Sequence, residues 1–184
     1  MFTPEHFKGV GSRDAVASAL KRHKQSGLIR QLARGLYDYP RKDDQLGLLL
    51  PSADEVAKAL AGRDAIRLQP SGAYAANLLG LSTQMPMKRV YLTDGRARTV
   101  QIGRQQIILK NTTPRNMAAA GKISGLVIQA LRHLGRPRVN DDVIAALDRR
   151  LDVSARKQLM KDMRYAPAWM AAILRQLTAP GARP

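Results

Sequence analysis

There is no cysteine among the 184 residues, which removes disulfides, thiolate metal sites and cysteine nucleophiles together. No apolar run approaches the length of a membrane span. The opening MFTPEHFKG is too polar for a secretory signal, and no long amphipathic helix with a polybasic face is visible for lying on a bilayer. The marks of catalysis are missing too. There is no P-loop, no zincin pattern and no pair of carboxylates at working distance, and GVGSRD (residues 9–14) lacks the third Gly and the preceding strand of a dinucleotide-binding turn. His6, His23 and His133 are scattered along the chain. Asp43-Asp44 falls in a polar stretch, and Asp141-Asp142 in a helix's first turn, where carboxylates suit the helix dipole. These absences predict a protein that is not an enzyme, uses no metal or cofactor, is not held by a membrane and resides in the cytoplasm.

Acidic residues are also scarce. Fourteen Asp+Glu stand against 31 Lys+Arg, a formal net charge of +17. A solubilising surface usually mixes both signs at smaller net magnitude, so the excess points to a polyanionic partner, and nucleic acid is the first candidate. Residues 1–42 hold nine basic and three acidic residues, and the remainder holds 22 and 11, so both halves are basic.

A polar stretch at 39–47, containing Pro40, predicts a boundary between a domain at 1–42 and a second at 48–180. In the first, Thr3-Pro4 opens one helical turn, and Ser12 caps a helix from Arg13 to about Gln25 that stops before Gly27. LIRQL, the turn ARG and LYDYP then read as a β-hairpin. On the helix, Val16, Ala19, Leu20 and His23 share one face. Asp14, Ser18, Lys21 and Gln25 centre the opposite one, with Ala17 and Arg22 at its edges. Small residues at 17 and 18 allow close approach to a surface, and Lys21, Arg22 and Gln25 supply donors for phosphates or base edges. Arg13 sits on the flank, better placed for backbone, while Arg30 and Arg34 lie on the hairpin. Helix, tight connection and basic two-stranded wing predict a winged helix-turn-helix that binds double-stranded DNA, alone in pairs or as a dimer on an inverted repeat.

The second region predicts an α+β domain of helices around a small antiparallel sheet. Helices are expected over SADEVAKALAG (capped by Ser52, ended by Gly62), SGAYAANLLGL, a long segment from Pro114 to about His133, 141–151, a segment capped by Ser154, and one beginning at Pro167. Strands are expected at AIRLQP, KRVYLTD, ARTVQIG and QQIILKN, with Asp94-Gly95 as a hairpin signal. Pro70, Ser71 and Gly72 make a strand-to-helix junction, with Tyr74 and Asn77 in the first turns, readable as an anion seat or simply as core packing. Lys88, Arg89, Arg96, Arg98, Arg104, Lys110 and Arg115 form a possible second basic face, indifferent to sequence if it holds nucleic acid backbone.

GSRDAVASALKRHKQSGLIRQLARGLYDYP (11–40) resembles the winged-helix N-terminal domain of the AbiEi-type antitoxin and transcriptional regulator family. IRLQPSGAYAANLLGLSTQMP (66–86), VYLTDG (90–95), TTPRNM (112–117) and RYAPAWM (164–170) are similar to that family's C-terminal domain. The resemblance covers nearly the whole chain. It implies a cytoplasmic bacterial antitoxin of a type IV toxin–antitoxin, or abortive infection, system, which represses its own operon through the N-terminal domain. The C-terminal domain would counteract a nucleotidyltransferase-like toxin, with no direct complex required. An RNA-binding or ribosome-associated adaptor using the second basic face is the alternative. The family has a helix ahead of the position of FTPEHF, for which the chain as it begins leaves no room. The expectation is either an upstream start or another element over Val16, Leu20 and Leu28. A domain of about 40 residues buries too little apolar area to be sturdy alone, so the N-terminal domain is expected to be mobile or held by the second one.

Overall fold

The helix-start signals at the N-terminus hold in the computed structural model, which describes residues 1–179; the expected domain end at 180 lies just outside them. A 3-10 turn spans Pro4–Phe7 and α1 spans Arg13–Gln25. The Ser12 hydroxyl accepts the Ala15 N–H at 3.2 Å and caps α1. The strands β1 (Arg30–Ala33) and β2 (Leu36–Asp38) pair antiparallel with Arg34-Gly35 at the turn, where Gly35 has φ 70°. Their register sets Arg30 opposite Asp38, and the two side chains make a 2.6 Å ion pair. Phe2 adds a bridge to the outer edge of β2, exchanging backbone hydrogen bonds of 2.8 and 2.9 Å with Tyr37. Its ring lies 5.2–5.9 Å from those of Phe7, Tyr37 and Tyr39, so the first residues are tied to the hairpin by an aromatic cluster.

The stretch at 39–47 is not a plain linker. β3 (Arg41–Asp43) and β4 (Gly47–Leu49) form a second antiparallel hairpin. The Asp43 carboxylate accepts the N–H groups of Gln45 and Leu46, both at 2.9 Å, an Asx turn that Gly47 closes at φ 72°. The Leu46 N–H first, then that of Gln45, holds the Asp43 carboxyl below its ordinary range. α2 (Ala53–Asp64) begins at a reciprocal cap, with Ser52 Oγ accepting from Glu55 N and Glu55 Oε2 accepting from Ser52 N. It runs through Gly62, where the sequence signal had ended it, and stops at Ala65, whose φ of 51° is left-handed.

The chain divides into two compact units, residues 1–66 with 99–107, and residues 67–98 with 108–184. The first dividing point therefore falls after α2, some twenty residues beyond the expected linker. In the first unit Leu20, Ile29, Leu36, Val56, Ala57 and Leu60 are buried. Each large one contributes about 1.5–3 kcal/mol by leaving water. The apolar face of α1 remains partly open. Leu20 is 6% exposed, but Leu28 is 55% exposed. A groove of about 330 Å³ runs along that face, lined by Val16, Ala19, Leu20, His23, Leu28 and neighbours.

β5 (Leu68–Ser71), β6 (Lys88–Thr93), β7 (Arg98–Ile102) and β8 (Gln105–Asn111) form one sheet in the order β5-β6-β8-β7. β6 and β7, successive in sequence, are not neighbours, so Asp94-Gly95 is not a hairpin turn. The Asp94 carboxylate instead accepts the Arg67 N–H and guanidinium, both at 2.8 Å, while β6 pairs antiparallel with β5. α3 spans Gly72–Leu78. The single long helix expected from Pro114 is two, α4 (Pro114–Met117) and α5 (Ile123–Leu134), separated at Gly121, which has φ 76°. Within α5, Gly125 lies so close to the Ala119 carbonyl and the Gln69 carboxamide that no Cβ fits. α6 (Asp141–Arg150) is capped by Asn140 as expected. α7 (Val153–Asp162) is capped by Asp152 rather than Ser154, through 2.7 Å to Ala155 N. A 3-10 turn over Ala168–Met170 leads into α8 (Ala171–Thr178). Ala75, Ala76, Leu79, Val127, Leu131, Leu147, Leu159, Met170, Leu174 and Leu177 form one core. The fold is α+β with small sheets.

Candidate nucleic-acid interface

The first unit brings together residues from the 3-10 turn, α1, the β1–β2 turn and the end of α2. Lys8, Arg13, Ala17, Arg34 and Arg63 all line one groove of about 1030 Å³. Arg63 Nη1 donates to the Arg34 carbonyl, fixing the β1–β2 turn, and its Nε pairs with Asp64 at 2.7 Å. Lys8 pairs with Glu5. Among the described residues Arg13 and Arg34 have no ion pair, and both are exposed. The groove thus presents two guanidinium groups uncommitted to any carboxylate among the described residues, together with a small residue, Ala17.

Residues 13, 17, 21 and 25 succeed one another four apart, a single row along the helix surface. Arg13 and Ala17 lie in the groove, and Lys21 and Gln25 carry the row onward, exposed. Ser18 and Arg22 are exposed as well, on the next row, about 100° further round. Lys21 and Gln25 therefore continue the row that enters the groove, and Arg22 does not. Arg30 stands differently from its expected role. Its guanidinium holds Asp38 and also donates to the Leu49 carbonyl at 3.1 Å, so its charge is already matched and it braces the β1–β2 hairpin rather than reaching outward. Lys8 and Arg63 carried no signal in the sequence, because a groove built from four separate segments has no local pattern.

The residues of the second expected basic face are divided between the two units. Arg104 belongs to the first unit, while Lys88, Arg96, Lys110 and Arg115 belong to the second and are exposed, and Arg98 is half-buried at the dividing point. Arg89 leaves the set altogether: it is 8% exposed, with its guanidinium 5.2 Å over the Tyr74 ring. The QPSGAYAANLLGL segment resolves toward packing. Tyr74 is buried, Asn77 Nδ2 donates to the Ser82 and Gln84 carbonyls, both at 3.1 Å, and Ser71 Oγ contacts Gln129. Among the described residues there is no cluster of three His, Asp or Glu able to hold a metal ion, and no helix is long and apolar enough to cross a membrane.

A family described as of unknown function, DUF6088, matches residues 1–159, and the chain belongs to it. Comparison with curated proteins and with solved structures gives no match.

Proposed function

We propose that this member of the DUF6088 family is a DNA-binding antitoxin that represses its own operon and counteracts a nucleotidyltransferase-like toxin of a bacterial type IV system. The toxin and operon parts of the reading rest on the family resemblance of the sequence. The DNA-binding part has its own physical support. One observation carries it: Arg13 and Arg34, uncommitted to any carboxylate among the described residues, line one groove with Ala17, and Lys21 and Gln25 continue the same helix row, exposed.

In this reading a winged helix-turn-helix sets α1 in the major groove. Ala17 and Ser18 allow close approach, and Lys21, Gln25 and Arg22 reach base edges. Arg13 and Arg34 hold phosphates on either side, as positioning contacts without sequence information. Two copies on an inverted repeat would supply two half-sites one helical turn apart. The net charge of +17 adds a long-range attraction that speeds encounter and weakens with salt.

Arg34→Ala should weaken binding to every duplex alike and reduce the slope of log K against log salt by about 1. Lys21→Ala should instead lose discrimination between the chain's own promoter and unrelated duplex. Both are read by fluorescence anisotropy at several salt concentrations. Equal slopes for Arg34→Ala and the parent protein would remove the phosphate role. A stronger preference for RNA over promoter DNA in competition would favour the adaptor reading.

A further inference from the structure

Two sequence motifs that the DNA-binding reading leaves unused, TTPRNM and RYAPAWM, meet in the second unit. Arg115, on α4, donates through Nη2 to the Arg164 carbonyl at 3.4 Å. The next residue, Asn116, turns its Nδ2 to Thr112 Oγ1 and its Oδ1 to Arg132 Nη1 on α5, both at 2.9 Å. The guanidinium of Arg164 lies 5.6 Å over the Tyr165 ring. Three arginines are thereby gathered where α4, α5 and the end of α7 come together.

Arg132 is the anomaly among them. Its side chain is half-buried, its Nε is covered from solvent, and among the described residues that Nε has no hydrogen-bond partner and the guanidinium bonds only the neutral Asn116 carboxamide. A guanidinium carries five donors, and one drawn under the surface is ordinarily matched by carboxylate, phosphate, several carbonyls or an aromatic face. No carboxylate is within ion-pair reach among the described residues. The nearby charge is of the same sign: burial first, and then Arg115, pulls Arg132 below its ordinary value. The other carboxylates of this unit that pair with a base do so elsewhere, Asp94 with Arg67, Asp148 with Arg156 and Asp162 with Lys122. Arg132, half-buried and held by Asn116, stands with exposed Arg115 as two guanidinium groups whose charge no carboxylate matches among the described residues, an arrangement that suits an anion.

We propose that Arg132 and Arg115, braced by Asn116 and the Arg164 carbonyl, form a binding site for a phosphate group on the second unit. Arg132 is the held member, since Asn116 fixes its fork. Arg115, exposed, closes on the ligand from the solvent side. The phosphate can come from a free nucleotide or from a nucleic acid strand, since both offer the same oxygens to the two guanidinium groups. The site is independent of the groove on the first unit.

The test follows the Arg132 Nε–H resonance of the whole protein, assigned by its loss in Arg132→Lys, during titration with inorganic phosphate, adenosine monophosphate and a single-stranded RNA of about ten nucleotides. The expected result is a saturable shift whose midpoint weakens by about tenfold or more in Arg115→Ala. A charge control, Arg149→Gln with Lys157→Gln, removes two exposed cations from α6 and α7 and should leave the midpoint unchanged. Saturation by phosphate or the mononucleotide at concentrations similar to the strand identifies a small phosphorylated ligand. Tighter saturation by the strand identifies backbone phosphate. No saturable shift with any probe, or equal weakening in the charge control, overturns the site. Arg115→Ala removes an exposed side chain, so failure to fold does not confound the comparison.

Discussion

Ser124 and Asp162 show what a single buried contact does in this chain. Both are nearly inaccessible, and Ser124 Oγ donates to Asp162 Oδ2 at 2.6 Å, with Gln158 Nε2 adding a second bond at 2.8 Å. Burial by itself would raise the Asp162 carboxyl, but the Ser124, Gln158 and Lys122 bonds outweigh it and hold the group below its ordinary value of 3.8. The folded state therefore gains stability above the unfolded pKa, and this is lost as pH falls through the lower folded pKa. Ser124→Ala should cost about 1.5–3 kcal/mol at neutral pH, since it deletes a hydrogen bond to a charged group. In urea melts that difference should narrow as pH falls below about 4. A deficit that stays constant down to acid pH would mean the bond does not favour the carboxylate. None of this was legible in the sequence: Ser124 and Asp162 are 38 residues apart, and nothing local joins them.

At the scale of elements, caps and short polar residues carried most of what could be read. Ser12, Ser52 and Asn140 each accept the N–H three residues on, because an N-cap is a local bond that the residue type itself implies. Asp152 against Ser154 went the other way. Both residue types cap, they stand two apart, and packing of Leu159 into the core chose the register. Helix ends were harder. Gly62 read as the end of α2, yet the helix continues to Asp64 and ends on Ala65 in a left-handed conformation. That conformation costs a residue with a Cβ about 1 kcal/mol, so Ala65→Gly should raise stability by up to about 1 kcal/mol. A chemical-denaturation midpoint unchanged or lowered by Ala65→Gly would show that chain entropy outweighs the relieved strain. The β3–β4 hairpin was missed because its strands are three residues long and the first is Arg-Lys-Asp, composition that reads as loop.

For the whole molecule, charge is the dominant quantity. A net +17 on 184 residues repels itself in the folded state, and a polyanion or added salt relieves it. Raising NaCl from about 0.02 M to about 0.3 M shortens the screening length from roughly 20 Å to under 6 Å. The melting temperature should therefore rise over that range, against the usual weakening of individual ion pairs. Calorimetry at constant pH checks it, and a flat or falling melting temperature would show that local pairs such as Arg30–Asp38 and Arg156–Asp148 outweigh the global repulsion. DNA affinity should fall over the same range, so stability and binding should respond to salt in opposite directions.

The sequence by itself determined the basic character, the absence of thiol chemistry, the α+β class, and most helix starts, because composition and caps are properties of residues and their near neighbours. Only the tertiary structure decided where the chain divides, that β8 lies between β6 and β7, that Arg30 and Arg89 are committed inside the protein, and that Arg13 and Arg34 line one groove while Asn116, beside Arg115, holds Arg132. Those outcomes depend on which distant segments share a core, and a side chain's charge is free for a partner only if no segment folded against it has already matched or covered it.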